Sequence, residues 1–163
     1  MLIGLISDTH GVFTSEVRDF LEPCDQVWHA GDFGGGLSTA RVIASFKPLE
    51  GVYGNCDDFD LRYEYPEFKV FECEGMKVLM IHIGGYPGRY SPRARQLIYQ
   101  HKPSLFVCGH SHILRVEYDH LYEMMTLNPG ACGFQGWQTY RTALRFKIED
   151  GALSDMELLK LPR

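Results

Sequence analysis

The stretch Leu2-Ile3-Gly4-Leu5-Ile6-Ser7-Asp8-Thr9-His10-Gly11 decides how the rest of the chain is read. Residues 2–7 form a short apolar run, too short for a helix and rich in Ile and Leu. Such a run reads as a strand buried in a sheet. It leads straight into an acidic residue and a histidine. The same arrangement recurs four times: 26–30 leads through Gly31 to Asp32, 49–53 through Gly54 to Asn55, 77–81 to His82, and 104–108 through Gly109 to His110. In sheets built with crossover helices, the carboxyl ends of the strands converge on one edge, and ligands bind there.

Two of these positions are doubled, as Asp8-x-His10 and His110-x-His112. On an extended segment, residues two apart point the same way, so each pair is expected to reach one site. The glycines before Asp32, Asn55 and His110 permit sharp turns and close packing. One strand-end Asp is ordinarily a turn or cap residue, and one His ordinarily a surface residue. Five coincidences of the same kind are a different matter. Together the segments offer two Asp, one Asn and four His. One ion takes about four to six ligands, so seven donors suit two ions sharing one carboxylate. Mixed oxygen and nitrogen donors without thiolate favour Mn, with Fe, Zn or Ni as alternatives, over Ca or Mg.

Between and beyond these strands, helices are expected at about 14–22, 38–47 and 92–101. Thr14 or Ser15 would cap the first, and Ser38 or Thr39 the second, with Pro23 and Pro48 just past their ends. Residues 68–72 and 77–83 flank Gly75 as a hairpin. From Arg115 onward the chain reads as strand and turn, with Asp150-Gly151 as a second hairpin signal. The first half is βαβ-like and the second mostly antiparallel. Two facing sheets with helices outside would bury both sets.

The chain has 163 residues, which suits one domain, 1–163. Its net charge of -5 and lack of long basic runs argue against a nucleic-acid polymer as partner. The N-terminus lacks the basic start of a signal peptide, and no window approaches the roughly 18 apolar residues of a membrane span. Five cysteines, an odd number without a Cys-x-x-Cys pair, point away from a disulfide framework and toward the cytoplasm.

Asp8-Thr9-His10-Gly11, Gly31-Asp32, Gly54-Asn55-Cys56-Asp57, His82 and Gly109-His110-Ser111-His112 resemble, in order, the motifs of the calcineurin-like metallophosphoesterases. The resemblance is strongest to the small bacterial and archaeal phosphodiesterase branch, which also carries Asn-Pro-Gly after the double histidine, here Asn128-Pro129-Gly130. It implies an α/β fold: a four-layer α/β/β/α sandwich of two mixed sheets with flanking helices, metallo-dependent phosphatase-like. Carried over by position, Asp8, His10, Asp32 and His112 would hold a first ion. Asp32 would bridge, and Asn55, His82 and His110 would complete a second. The implied function is hydrolysis of a small phosphodiester at a dinuclear centre by a metal-bridging hydroxide. Asn55, His82 and Cys56 are then the candidate catalytic residues.

Many superfamily members have His where Cys56 stands. The Cys56 thiol would either donate a proton or only pack, and without a strong acid good leaving groups are favoured. Asp57 would orient a neighbour or make a turn. His29 would orient a ligand carboxylate or sit on the outer face of its strand. The glycine-rich loop after His82 would cover the site with Arg89 on a phosphate, or be a solvated loop. Phe134 and Trp137 would line a substrate wall or a subunit contact, with at least one in the core. The competing functions are a catalytically silent metal-binding scaffold for protein partners, like the retromer subunit of this fold, and a metal-dependent nuclease. A homo-oligomer is compatible with family habit.

Overall fold

Alternation inside the apolar runs sorts side chains onto two faces, and the computed structural model, which describes residues 1–163, places a layer against each. Strand β1 (Leu2–Ile6), β2 (Gln26–His29) and β3 (Leu49–Gly51) lie parallel, in the order β1-β2-β3. Two long antiparallel strands, β9 (Tyr140–Glu149) and β10 (Ala152–Pro162), extend this sheet beyond β1. The second sheet runs β4-β5-β6-β8-β7, from β4 (Phe68–Cys73), β5 (Met76–Ile81), β6 (Leu105–Val107), β8 (Met124–Pro129) and β7 (Leu114–Asp119).

Ile3, Leu5, Trp28, Val78, Met80, Leu105, Val107, Leu144 and Phe146 point between the sheets into one fully buried core. Their neighbours face outward. Ile6 and Val27 pack with Val17 and Leu21 of helix α1 (Ser15–Leu21) and with Ala40 and Ile43 of α2 (Leu37–Phe46). Leu79, Ile81 and Phe106 pack with Ala94, Leu97 and Ile98 of α4 (Pro92–His101). The period of two thus makes four layers, helix on sheet on sheet on helix. Each fully buried aliphatic or aromatic side chain contributes about 1.5–3 kcal/mol, so the middle layer is the main source of stability.

One expectation needs correction, and two features go beyond the sequence reading. Helix α2 starts at Leu37 from Gly36, whose φ of 60° turns the chain; the Ser38 hydroxyl donates back to the Gly35 carbonyl instead of capping. A helix not read from the sequence, α3 (Phe59–Glu64), follows Asp58, whose carboxylate caps the Leu61 N–H at 3.0 Å. The second half is mostly antiparallel, as expected, through β4–β5, β7–β8 and β9–β10, while β5–β6 and β6–β8 are parallel pairs. Helix α4 returns the chain between β5 and β6, and the β7–β8 hairpin then delivers β8 alongside β6. The Asp150-Gly151 hairpin is present, with both residues at positive φ.

Candidate metal centre

Both sheets send the carboxyl ends of their parallel strands to the same edge. Asp8, Asp32 and Asn55 follow β1, β2 and β3; His82 and His110 follow β5 and β6. All seven expected donors meet there. His10 Nε2 lies 3.7 Å from Asp8 Oδ1 and 3.8 Å from Asp32 Oδ2. His112 Nε2 lies 3.2 Å from Asp8 Oδ1, and His82 Nε2 lies 3.2 Å from Asp32 Oδ2. Asn55 Oδ1 faces His82 Nε2 at 3.1 Å and His110 Nδ1 at 3.0 Å.

The geometry that aims these groups differs from the expected extended pairs. Asp8, His10, Asp32, His110 and His112 all have left-handed backbone, with φ between 46° and 70°. Each such residue costs about 1–3 kcal/mol, which the surroundings must offset. The turns still bring both members of each pair to one place; the His10 and His112 rings are 5.6 Å apart. The glycines before the donors make room for donors arriving from other strands. A Cβ at Gly31 would stand 2.5 Å from His82 Nδ1, one at Gly54 would overlap the Asp32 carboxylate, and one at Gly109 would overlap the Ser7 hydroxyl.

Hydrogen bonds fix which atoms face inward. The Ala30 carbonyl can only accept, so His82 Nδ1 carries the hydrogen at 2.7 Å and Nε2 presents its lone pair to the centre. Gln138 Oε1 holds His112 Nδ1 at 3.2 Å in the same manner. Asp8 Oδ2 accepts from the Ser7 hydroxyl and the His110 N–H, leaving Oδ1 to the histidines. The Cys56 N–H donates to Asp32 Oδ1 at 2.8 Å, leaving Oδ2 inward.

Electrostatics follow from this packing. Burial pushes the Asp8 carboxyl up, but His10, His112, His82 and Ser7 together hold it far below the usual carboxylate range. Burial also opposes ionisation of Asp32, and contacts with His82 and the Cys56 N–H reverse it, so this carboxyl too is lowered. Burial lowers His82 while Asp32, Asp8 and the Ala30 carbonyl raise it, and the net shift is upward. His112 is raised, chiefly by Asp8. His110 is lowered by burial and by its neighbour His82.

Asp8, His10 and His112 form one group whose donor atoms lie within 4.8 Å of one another; Asp8, Asp32 and His82 form another. His10 Nε2 is buried without any hydrogen-bond partner. An orphaned imidazole nitrogen between two carboxylates has no satisfied role in the bare protein and suits a cation. The donor set therefore fits divalent metal. Cys56, expected outside the ligand set, brings its sulfur within the same 4.8 Å of His10 and Asp32. Burial, then Asp32, raises its thiol pKa, so it is held as S–H in the metal-free chain.

Asp57 proves to be a main support of the site. Its buried carboxylate accepts from the N–H groups of Asp32, Phe33, Gly34 and Gly54, between 2.8 and 3.3 Å, tying the Asp32 and Asn55 loops together. His29 lies on the outer face of its strand, wholly buried and stacked on Phe33 at 3.6 Å. Thr9 Oγ1 donates to the Phe33 carbonyl, so it accepts from His29 Nε2, and His29 Nδ1 accepts from the Gly31 N–H. It touches no ligand carboxylate; it links the two ligand loops through Thr9 and Gly31.

A cavity of about 660 Å³ opens over the donors, lined by His10, Asp32, Asn55, Cys56, His110 and His112, with Trp137 fully exposed at its rim. Phe134 is also exposed, beneath the Arg141 guanidinium, so neither aromatic is in the core. The loop from Gly84 to Arg89 does not line this cavity; it stands beside His110.

Comparison with known proteins supplies the family. The model of the calcineurin-like phosphoesterase superfamily domain matches residues 1–151. A probable metallophosphoesterase of Methanothermobacter thermautotrophicus is 31% identical over 139 residues, covering 80% of this chain and 77% of that protein. Among solved structures, Entamoeba histolytica Vps29 in complex with zinc superposes with a TM-score of 0.74 at 18% identity over 99% of both chains. A Streptococcus pneumoniae protein described as a predicted phosphoesterase gives 0.66 at 21% identity, over 99% of this chain and 88% of its own. These two share the fold. With the family model spanning nearly the whole chain and its donors gathered at one edge, the chain belongs to the calcineurin-like phosphoesterase superfamily and is a metal-dependent phosphoesterase.

Proposed function

We propose that this single-domain protein is a cytoplasmic phosphodiesterase that cleaves small diesters with two divalent ions. The observation that carries this reading is the position of Asp32. Its Oδ2 lies between His10 Nε2 at 3.8 Å and His82 Nε2 at 3.2 Å. Asp8, His10 and His112 form one group of donors and Asp8, Asp32 and His82 a second, with Asn55 Oδ1 facing His82 and His110. Two donor groups drawn from seven side chains favour two ions over one ion with surplus ligands, with Asp32 as the carboxylate they would share. Mn is the first choice, with Fe, Zn or Ni as alternatives, because the oxygen and imidazole donors suit all four.

When bound, the ions would supply the Lewis acidity and the activated water that no side chain here offers. The chain's own residues do the rest. Asp8 and Asp32 balance charge and are kept ionised by their histidine neighbours. The Ala30 carbonyl holds His82 with Nε2 inward. Asn55 turns Oδ1 to His82 and His110, while its Nδ2 lies 3.5 Å from Cys56 Sγ at the open cavity, where it can meet a phosphoryl oxygen. Cys56, which lines the cavity, would be a weak proton donor to the leaving group, which favours substrates with good leaving groups.

The test is turnover of bis(p-nitrophenyl) phosphate against p-nitrophenyl phosphate. Metal-depleted protein is expected to be inactive and to regain diester, not monoester, hydrolysis with Mn²⁺. His82→Ala and Asp32→Ala are each expected to lower turnover by several orders of magnitude in a protein that still folds. An H82A variant with most of its activity would refute the ligand assignment. Loaded protein that cleaves neither ester yet captures a protein stoichiometrically would return the scaffold reading.

A further inference from the structure

Two arginines beside the metal centre have no part in it. Three cavities open along the ligand-bearing edge, and the one over the donors is the largest. A second, of about 480 Å³, is lined by Tyr53, Arg62, Glu67, His82 and Arg93. Its cations are engaged: Arg93 donates to Glu67 at 3.1 Å, and Arg62 to the carbonyls of Asp57 and Asn55. The third, of about 230 Å³, shares His110, Ser111 and Ile113 with the donor cavity and is closed by the loop after His82.

This third cavity is lined by Arg89 and Arg115 and by no carboxylate, in a chain of net charge -5. The Arg89 guanidinium has no hydrogen-bond or ion-pair partner in the chain. Arg115 reaches only the exposed Glu117, at 3.2 Å, a pairing that solvent keeps weak. Ser111 Oγ accepts from Asn128 Nδ2 and from the Ile113 N–H, so its own hydrogen is free to donate. Arg115 also covers one face of Tyr86, with its guanidinium carbon 4.1 Å from the ring centre. A pocket furnished with donors and positive charge, without a carboxylate, suits an oxyanion.

We propose that this cavity is a subsite for a second anionic group of the substrate, a phosphate or carboxylate a few bonds from the scissile phosphorus, held by Arg89 and Arg115. The inference rests on the phosphodiesterase reading for its substrate, and its two-part test separates the fates of the two. The kinetic part uses three p-nitrophenyl phosphodiesters whose other ester arm ends in methyl, carboxylate or phosphonate. The anionic arms are expected to raise kcat/KM about tenfold to a hundredfold, mainly through KM, as charge-assisted hydrogen bonds do. The carboxylate and phosphonate arms tell the two sources apart. Arg89→Ala and Arg115→Ala are expected to bring the ratio of anionic to methyl arm toward one, with Arg89→Lys keeping part of it. The Arg89 side chain is exposed on a loop, so its variants remain informative if R115A fails to fold.

The binding part compares 3-phosphonopropionate with ethylphosphonate on Mn²⁺-loaded protein by calorimetry. The extra carboxylate is expected to tighten binding about tenfold in the wild type and not in R89A. A binding preference without hydrolysis of any diester keeps the subsite and overturns the phosphodiesterase. Hydrolysis of all three arms at equal kcat/KM, with no binding preference, overturns the subsite and keeps the phosphodiesterase.

Discussion

Asp57 and His29 are the two buried polar residues on which the ligand loops lean, and each makes a prediction. Removing the Asp57 carboxylate strands four N–H groups, of which those of Asp32, Phe33 and Gly54 are buried. An unsatisfied buried donor costs about 1–3 kcal/mol, so Asp57→Ala is expected to lower the stability of metal-free protein by about 3 kcal/mol or more. Urea unfolding measures this, and a metal titration should show weaker affinity as well. For His29, burial holds the imidazole at a pKa of about 3 against an ordinary 6.5. A lowered folded pKa means that the unfolded chain binds the extra proton. His29 therefore contributes full stability above about pH 6.5, and loses it as pH falls toward 3, by up to about 1.4 kcal/mol per pH unit. His82 and His112, raised in the fold, act in the opposite sense, so the informative quantity is wild type minus His29→Gln. That difference should shrink from pH 7 to pH 4; a constant difference would mean that His29 is protonated in the folded protein.

At the scale of elements, the carboxyl ends of five parallel strands act as a mount, and glycine sets how closely donors from adjacent strands can approach. The contrast between two glycines tests this. A methyl group at Gly54 would overlap the Asp32 carboxylate and N–H, both part of a rigid turn. At Gly88, with φ of 85°, it would meet nothing within 4 Å. Gly88→Ala is expected to cost only the left-handed conformation, about 1–2 kcal/mol, with metal affinity unchanged. Gly54→Ala is expected to destabilise by more and to abolish tight metal binding. Equal effects in thermal melts and metal titrations would show that backbone conformation alone matters. Helix α3 belongs to the same mount: its Arg62 donates to the Asp57 and Asn55 carbonyls and fixes the loop that carries Asn55. Six residues are less than two helical turns, too few for an apolar period to register, which is why α3 was not legible in the chain.

For the molecule as a whole, the centre joins one sheet to the other. His82 Nδ1 donates across to the Ala30 carbonyl, and the His110 N–H donates across to Asp8. Cations held between Asp8 and Asp32 of one sheet and His82 and His110 of the other would bind the folded state and have no site in the unfolded one. Metal at about a hundredfold over its Kd then adds about 2.7 kcal/mol. Chelation is expected to lower Tm and Mn²⁺ to restore it, with a smaller restoration in H82A, measured by calorimetry with and without EDTA. A Tm indifferent to metal would place the donors outside any ion-binding site. The shift should also weaken at lower pH, because the raised His82 and His112 then hold protons that metal must displace.

The linear order alone determined the candidate donors and the layers. Apolar runs ending in Asp, Asn or His are local patterns, and alternation within a strand is enough to assign its two faces, as with Ile3 and Leu5 inward against Ile6 outward. What required the tertiary structure was every feature made by distant segments meeting. The left-handed turns at Asp8, His10, Asp32, His110 and His112 replace the extended pairs that spacing suggests, because neighbouring strands, not local preference, decide those dihedrals. Asp57 becomes a support only when residues 32–34 converge on its carboxylate, and the Arg89–Arg115 cavity exists only where the loops after the carboxyl ends of β5 and β6 stand side by side. The bonds from Asp32 and Gly34 to Asp57 span 25 and 23 residues of sequence, and a one-dimensional pattern carries no information about which of many possible partners will close them.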